Sequence, residues 1–260
     1  MRIPGAVGAL RGLLKELRED ERKPVVVGGA HELARVLERD LARGGDASAV
    51  RVGDPTGAAV YVHIVTGAGA DEVALRRAHG ARVPLVAVQT GDGDVPYVLA
   101  TSIVHVGPGE GLPLDEIVRT IASLLGEDAA PLAGRLPLLR DPVCARIVAS
   151  FSRKNGIVGA ASLRLRVTGG DMPILTTRQV RMLLRLDQAY GLDLDPRERL
   201  PEILAVVGAG LGLRTVAREL LDLVPVAGWV VKGGVAYAGT RALGEAAIRR
   251  LRAGASRGAP

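Results

Sequence analysis

The spacing of apolar positions changes twice along this chain, and the changes divide it. Over residues 3–20, Val7, Leu10, Leu13, Leu14 and Leu17 share one helical face, and charges crowd the end of the segment from Lys15 to Lys23. An amphipathic leader helix is predicted over residues 1–23. From Pro24 the pattern becomes one of short β-branched runs. Val25-Val26-Val27-Gly28-Gly29, residues 58–65, residues 84–88 and a stretch within 95–106 have the character of buried strands. Residues 31–43, 71–79 and 114–125 between and after them carry apolar positions at helical spacing. Strands alternating with helices predict an α/β domain over residues 24–130, its mostly parallel sheet covered on both faces.

Pro131 and Pro137 mark the second change. Beyond them strand signals are sparse, and helices are predicted over 141–153, 173–190, 200–221 and 225–252. These form an all-α domain over residues 141–252. Pro173, Pro201 and Pro225 stand near helix starts, where a missing N–H costs little. Gly191 follows a helical run and suits a C-terminal cap. Residues 253–260 have the composition of a flexible tail.

Composition narrows the function classes. A chain of 260 residues with 48% hydrophobic content can bury two cores. Aromatic residues make up only 2%, so the cores rest on Val, Leu, Ile and Ala. Stacking platforms for single-stranded nucleic acid are scarce, and no nucleic-acid partner is expected. The net charge of +6 hides an asymmetry. Residues 1–130 hold 14 Lys+Arg against 18 Asp+Glu, and residues 131–260 hold 20 against 10. A basic second half suits an acidic partner such as an anionic membrane surface or an acidic protein, although arginine also serves simply as a solubilising residue. The single Cys144 lacks metal-ligand spacing and reads as a buried thiol near a helix start. No apolar run before Lys15 is long enough for a secretory signal, so the chain is expected in the cytoplasm or on the cytoplasmic side of the cell membrane.

The first strand–turn–helix is where an α/β nucleotide-binding protein holds phosphate. Such a loop needs glycines to bring backbone N–H groups close, a Lys to balance charge and a hydroxyl for magnesium. Gly28 and Gly29 are candidates here. The following Ala30-His31-Glu32-Leu33-Ala34 supplies neither Lys nor hydroxyl, and Glu32 repels phosphate. Thr66-Gly67-Ala68-Gly69 after the second strand is another loop at a sheet end, and Asp71 beyond it suits a helix cap. His31, His63, His79 and His105 show no metal spacing and read as structural or surface residues. No catalytic residue, metal or cofactor is predicted.

After the third strand the segment Val86-Ala87-Val88-Gln89-Thr90-Gly91-Asp92 resembles the Asn-Lys-x-Asp element of Ras-like GTPases. It keeps the register and the final Asp but replaces Asn and Lys. Gln89 and Asp92 therefore join Gly28 and Gly29 as candidate nucleotide-contacting residues. Ala100-Thr101-Ser102 falls where such a fold carries its last base-contacting loop. The resemblance implies a GTPase-like fold without its nucleotide machinery.

From about Phe151 to Leu251 the chain resembles the domain of unknown function 697, found in YcjF-like membrane proteins and appended to some GTPases. The residues carrying this are Gly170-Asp171-Met172-Pro173, Gln179-Val180-Arg181-Met182-Leu183, Tyr190-Gly191, Leu223-Val224-Pro225-Val226-Ala227-Gly228, Thr240 and Gly244. The resemblance implies membrane association and no catalytic activity. A single span needs about 20 apolar residues. Ile203 to Leu213 and Val224 to Val231 are shorter, and Arg214, Arg218 and Lys232 are costly at bilayer centre. Their small residues, Ala205, Gly208, Ala209, Gly210 and Gly212 against Gly233, Gly234, Ala236, Ala238 and Gly239, predict a tightly packed helical hairpin joined at Leu223-Val224-Pro225. The expectation is a non-catalytic, membrane-associated protein whose GTPase-like domain binds a partner. The alternatives are a residual GTP/GDP-binding protein or GTPase, and a soluble homo-oligomeric helical scaffold.

Overall fold

A computed structural model describes residues 23–67, 69–164, 172–192 and 228–257. The leader helix over 1–22, the helix over 200–221 and the hairpin turn at Leu223-Val224-Pro225 lie outside these residues. The chain divides into two compact units that meet between Arg146 and Ile147.

The first unit is an α/β domain. Its strands are β1 (Val25–Gly29), β2 (Val50–Val52), β3 (Val60–Val65), β4 (Leu85–Gln89) and β5 (Ile103–His105). They form one sheet in the order β2-β1-β3-β4-β5, and every pairing is parallel. Val25, Val26 and Val27 pair with Val50, Arg51 and Val52 on one side and with Val60, Tyr61 and Val62 on the other. All of β3 and β4 is buried. That explains why these strands read as continuous apolar runs: both faces are covered, so neither can be polar.

Three helices cover the sheet: α1 (His31–Leu41), α2 (Gly69–Gly80) and α3 (Leu114–Leu125). α1 buries Ala34, Leu37 and Leu41, and α3 buries Ile117, Val118, Ile121 and Ala122. Each fully buried Leu or Ile contributes about 1.5–3 kcal/mol. α1 and α3 touch each other, so they share a face. α2 lies on the other face, where Leu75 and Ala78 pack against Val26, Tyr61, Val65, Leu85 and Ala87.

A short helix α4 (Ala130–Arg135) follows, with Leu132, Ala133, Leu136 and Leu139 buried. Its end is tied to the loop before β2. The Asp46 amide donates to the Arg135 carbonyl at 2.9 Å, and Arg135 Nε donates to the Asp46 carboxylate at 2.9 Å. Ser48 and Arg135 hold the Asp46 carboxyl down to about 2.

The second unit is helical. α5 (Arg140–Arg164) begins in the first unit and runs on into the second. It is far longer than the 141–153 predicted, because Asn155-Gly156 does not interrupt its buried row. α6 (Met172–Ala189) ends as the sequence predicts. Gly191 has φ +70°, its amide donates to the Gln188 carbonyl at 2.9 Å, and the Leu192 amide donates to the Asp187 carbonyl at 3.1 Å. This pair of bonds is the Schellman stop. α7 (Gly228–Arg257) is 30 residues long. It carries residues 253–257 as helix, where a flexible tail was expected; no proline or polar run stops it there. Among the described residues, no helix is long and apolar enough to cross a membrane.

α5 and α7 pack antiparallel through small residues. A Cβ on Gly233 would lie 3.1 Å from the Ala160 Cβ and 3.0 Å from the Gly156 carbonyl oxygen. One on Gly244 would meet Val148 at 2.5 and 2.9 Å. A methyl at Gly244 forces Val148 to move and one at Gly233 is tight, as in small-residue helix pairs.

Candidate functional site at the carboxyl edge of the sheet

Because all five strands run parallel, their carboxyl ends share one rim. The chain leaves β1 toward β2 on one side and later enters β3 on the other, so the switch point lies between β1 and β3. Ligands of open parallel sheets sit outside this crevice.

At β1 the rim is closed by sterics. One residue, Ala30, separates Gly29 from α1, and its amide turns toward the Ile64 carbonyl at 3.4 Å. Gly29 has φ +92°, and a Cβ there would sit 2.8 Å from the Ile64 carbonyl carbon. A Cβ on Gly28 would sit 2.7 Å from Tyr61 Cζ. Both glycines thus serve packing and chain reversal. A one-residue turn is too short to wrap a phosphate in backbone N–H groups. Glu32 and His31 lie exposed beyond it.

At β3 the chain supplies its own anion. Asp71, in the first turn of α2, accepts the Thr66 amide at 2.9 Å, the Gly67 amide at 3.1 Å and the Thr66 hydroxyl at 3.3 Å through Oδ2. Its Oδ1 lies 2.8 Å from His63 Nε2, and His63 Nδ1 lies 2.9 Å from the Tyr61 hydroxyl. Burial pushes the Asp71 carboxyl up, but the bonds from His63 and Thr66 outweigh burial and hold it below its ordinary value. With Asp71 ionised, Nε2–H donates to it, and Nδ1 accepts from the Tyr61 O–H. Burial, with Asp54 and Asp71 nearby, pushes the Tyr61 hydroxyl up to about 12.

The Asp–His–hydroxyl order is that of a nucleophilic triad, yet its environment opposes that use. Tyr61 is 3% exposed and holds its proton more firmly than a free phenol. The chain joins β3 to α2. Two backbone N–H groups that could cradle a ligand's anion already hold a carboxylate.

At β4, Gln89 is buried and its Nε2 donates to the Gly93 carbonyl at 2.8 Å. Thr90 Oγ1 donates to the Val65 carbonyl at 2.9 Å. The loop is pinned from inside, and Asp92 stands exposed at its tip. Ala100–Ser102, expected as a base-contacting loop, forms a 3-10 turn that precedes β5. It therefore enters the opposite, amino edge of the sheet; the segment leaving the carboxyl edge starts at Val106.

Of the candidates, Gly28, Gly29, Gln89 and Asp92 all reach the rim, but the first three are committed to internal contacts. His31, His79 and His105 are exposed and separate, and His79 stacks at 5.4 Å on Tyr97. Cys144 is buried in α5, as expected. Among the described residues no three His, Cys, Asp or Glu side chains converge as a metal set. The Tyr61–His63–Asp71 chain was not foreseen. Its signal was present: Tyr61 and His63 point to one face of a buried strand, and Asp71 opens the next helix on that face.

No family model, curated protein or solved structure matches the chain.

Proposed function

We propose that the protein is a non-catalytic partner-binding protein, in which a GTPase-like α/β domain without a phosphate loop is joined to a helical domain that associates with an anionic membrane surface. The observation that carries the first half is the Asp71 carboxylate in the Thr66–Gly67 amide cradle, beside a β1–α1 turn of one residue. A nucleotide phosphate would need the same N–H groups and would meet a negative charge there. Support for the GTPase-like reading is the parallel order β2-β1-β3-β4-β5, with Gln89 ending β4 and Asp92 beyond it.

The second half draws on charge, helix chemistry and resemblance. Residues 131–260 hold 20 Lys+Arg against 10 Asp+Glu. Arg249, Arg250 and Arg252 are exposed near the end of α7, where cations also suit the helix dipole. The α5–α7 contact uses glycines and an Asn–Thr bond, the material of helix pairs in membranes. The likeness of residues 151–251 to the domain of unknown function 697 agrees with this reading.

Two measurements test it. Labelled GTP and GDP should show no saturable binding at high micromolar ligand; saturable binding sinks the non-nucleotide half. The full chain should sediment with anionic vesicles at low salt and be released as salt rises. A protein that ignores anionic vesicles sinks the membrane half.

A further inference from the structure

The seam between α5 and α7 is built from unusual material. Among the described side chains of α7, the buried ones are Gly233, Thr240 and Gly244. Its larger apolar groups, Tyr237, Leu243 and Ile248, are only half-buried, Tyr237 lies against Gly156 of α5, and α7 also touches α6. Apolar burial drives docking roughly in proportion to area, so a helix whose large apolar groups are half-buried gains less from it than a core helix does. A hydrogen bond crosses the seam from Asn155 Nδ2 to Thr240 Oγ1 at 3.0 Å. The remaining polar atoms do less well. Ser152 Oγ and Asn155 Oδ1 belong to residues with no exposed surface, and neither has a hydrogen-bond partner.

An unpartnered polar atom loses its hydration on burial and regains it when the surfaces part. Both orphans lie on the face of α5 that holds Asn155 against Thr240. They raise the free energy of the closed seam and leave the sheet of the first unit untouched. The glycine contacts themselves add dispersion but no transfer term against that cost.

We propose that α7 is a detachable arm, which separates from α5 in an opening that costs far less than global unfolding and bares Ser152, Asn155 and Thr240 to water. A long helix freed from its partner frays in water, so the opening exposes backbone amides as well. The arm does not depend on the membrane reading: α7 can open whether or not vesicles bind.

Native-state hydrogen exchange on the full chain tests it. Amides around Thr240–Gly244 should exchange at least about tenfold faster than those of Val26 and Val62 in the sheet. Equal protection in the two places overturns the proposal. Because a helix end also frays on its own, a second measurement is decisive. Ser152→Ala removes one orphan from α5 and alters nothing in α7. It should slow exchange around Thr240–Gly244 by roughly fivefold or more, with the sheet unchanged. Paired replacement by Asn155→Leu and Thr240→Val should act in the same direction. If Ser152→Ala leaves exchange in α7 unchanged or faster, the orphans do not control the arm and the proposal fails.

Discussion

His63 Nε2 lies 2.8 Å from the Asp71 carboxylate, joining a residue in the middle of a buried strand to the first turn of the following helix. The same carboxylate closes the turn between them by accepting the Thr66 and Gly67 amides. One side chain therefore sets the start of α2 and the end of β3.

This predicts a pH dependence. Asp71 is held below the ordinary carboxyl value, so its contribution to stability is complete above the unfolded value near 3.9 and is lost as pH falls through the folded value. Asp71→Asn should lower stability at pH 7 by about 1–3 kcal/mol and flatten the acid limb below about pH 4. Urea unfolding between pH 3 and 7 measures both. An acid limb as steep as that of the wild type would count against the role given to Asp71.

Gly28 is expected to tolerate no side chain while Tyr61 is present. Its Cβ would stand 2.7 Å from Cζ and 2.9 Å from Cε2 of the ring. Gly28→Ala should destabilise by about 1–3 kcal/mol through overpacking. The cost should shrink when Tyr61→Leu removes the ring, a non-additivity that a double-mutant cycle reads directly. Additive costs would mean that the ring is not the obstacle.

Arg82 occupies a position that favours glycine. The Arg82 amide donates to the His79 carbonyl at 2.9 Å and the Val83 amide to the Ala78 carbonyl at 3.0 Å, with Arg82 at φ +55°. This is a helix stop with a bulky residue in the left-handed turn. Arg82→Gly should stabilise the α/β unit by about 0.5–1 kcal/mol, seen as a rise of a few degrees in Tm. A fall in Tm would show that the arginine side chain contributes more than its backbone strain costs.

In the helical unit, Gly244→Ala would place a methyl 2.5 Å from Val148 Cγ2. It should loosen α7 and weaken that unit by about 1–3 kcal/mol. Val148→Ala in the same chain should recover part of the loss. Calorimetry of the two variants distinguishes this seam clash from a general loss of helix propensity, which Ala would improve.

The fold class was legible because period is a strong signal. Runs such as Val25–Val27 and residues 84–88 are both β-branched and short, and the buried strands followed. β2 was missed: three residues with Arg51 in the middle carry too little periodicity to stand out. The predicted helix stops at 153, ahead of Asn155 and Gly156, whereas the structure carries α5 through both and uses them at a close helix contact. Gly28 and Gly29 show the limit for the site. Sequence marks a glycine pair at a strand end, but the reason for it, a tyrosine ring from the neighbouring strand, comes from register. The members of the Tyr61–His63–Asp71 chain were visible one by one, but the chain closes only once α2 folds back over β3.

The two outer strands have a consequence for any partner. β2 and β5 are each three residues long, and Arg51 on β2 turns its guanidinium to the Thr56 carbonyl at 2.8 Å. A foreign strand laid along either border would find too few backbone groups to grip, and a charged side chain on one of them. The sheet is thereby protected from templating fibrils. It is equally closed to recruitment by strand addition, which leaves helix faces and loop tips as the places where another protein can take hold.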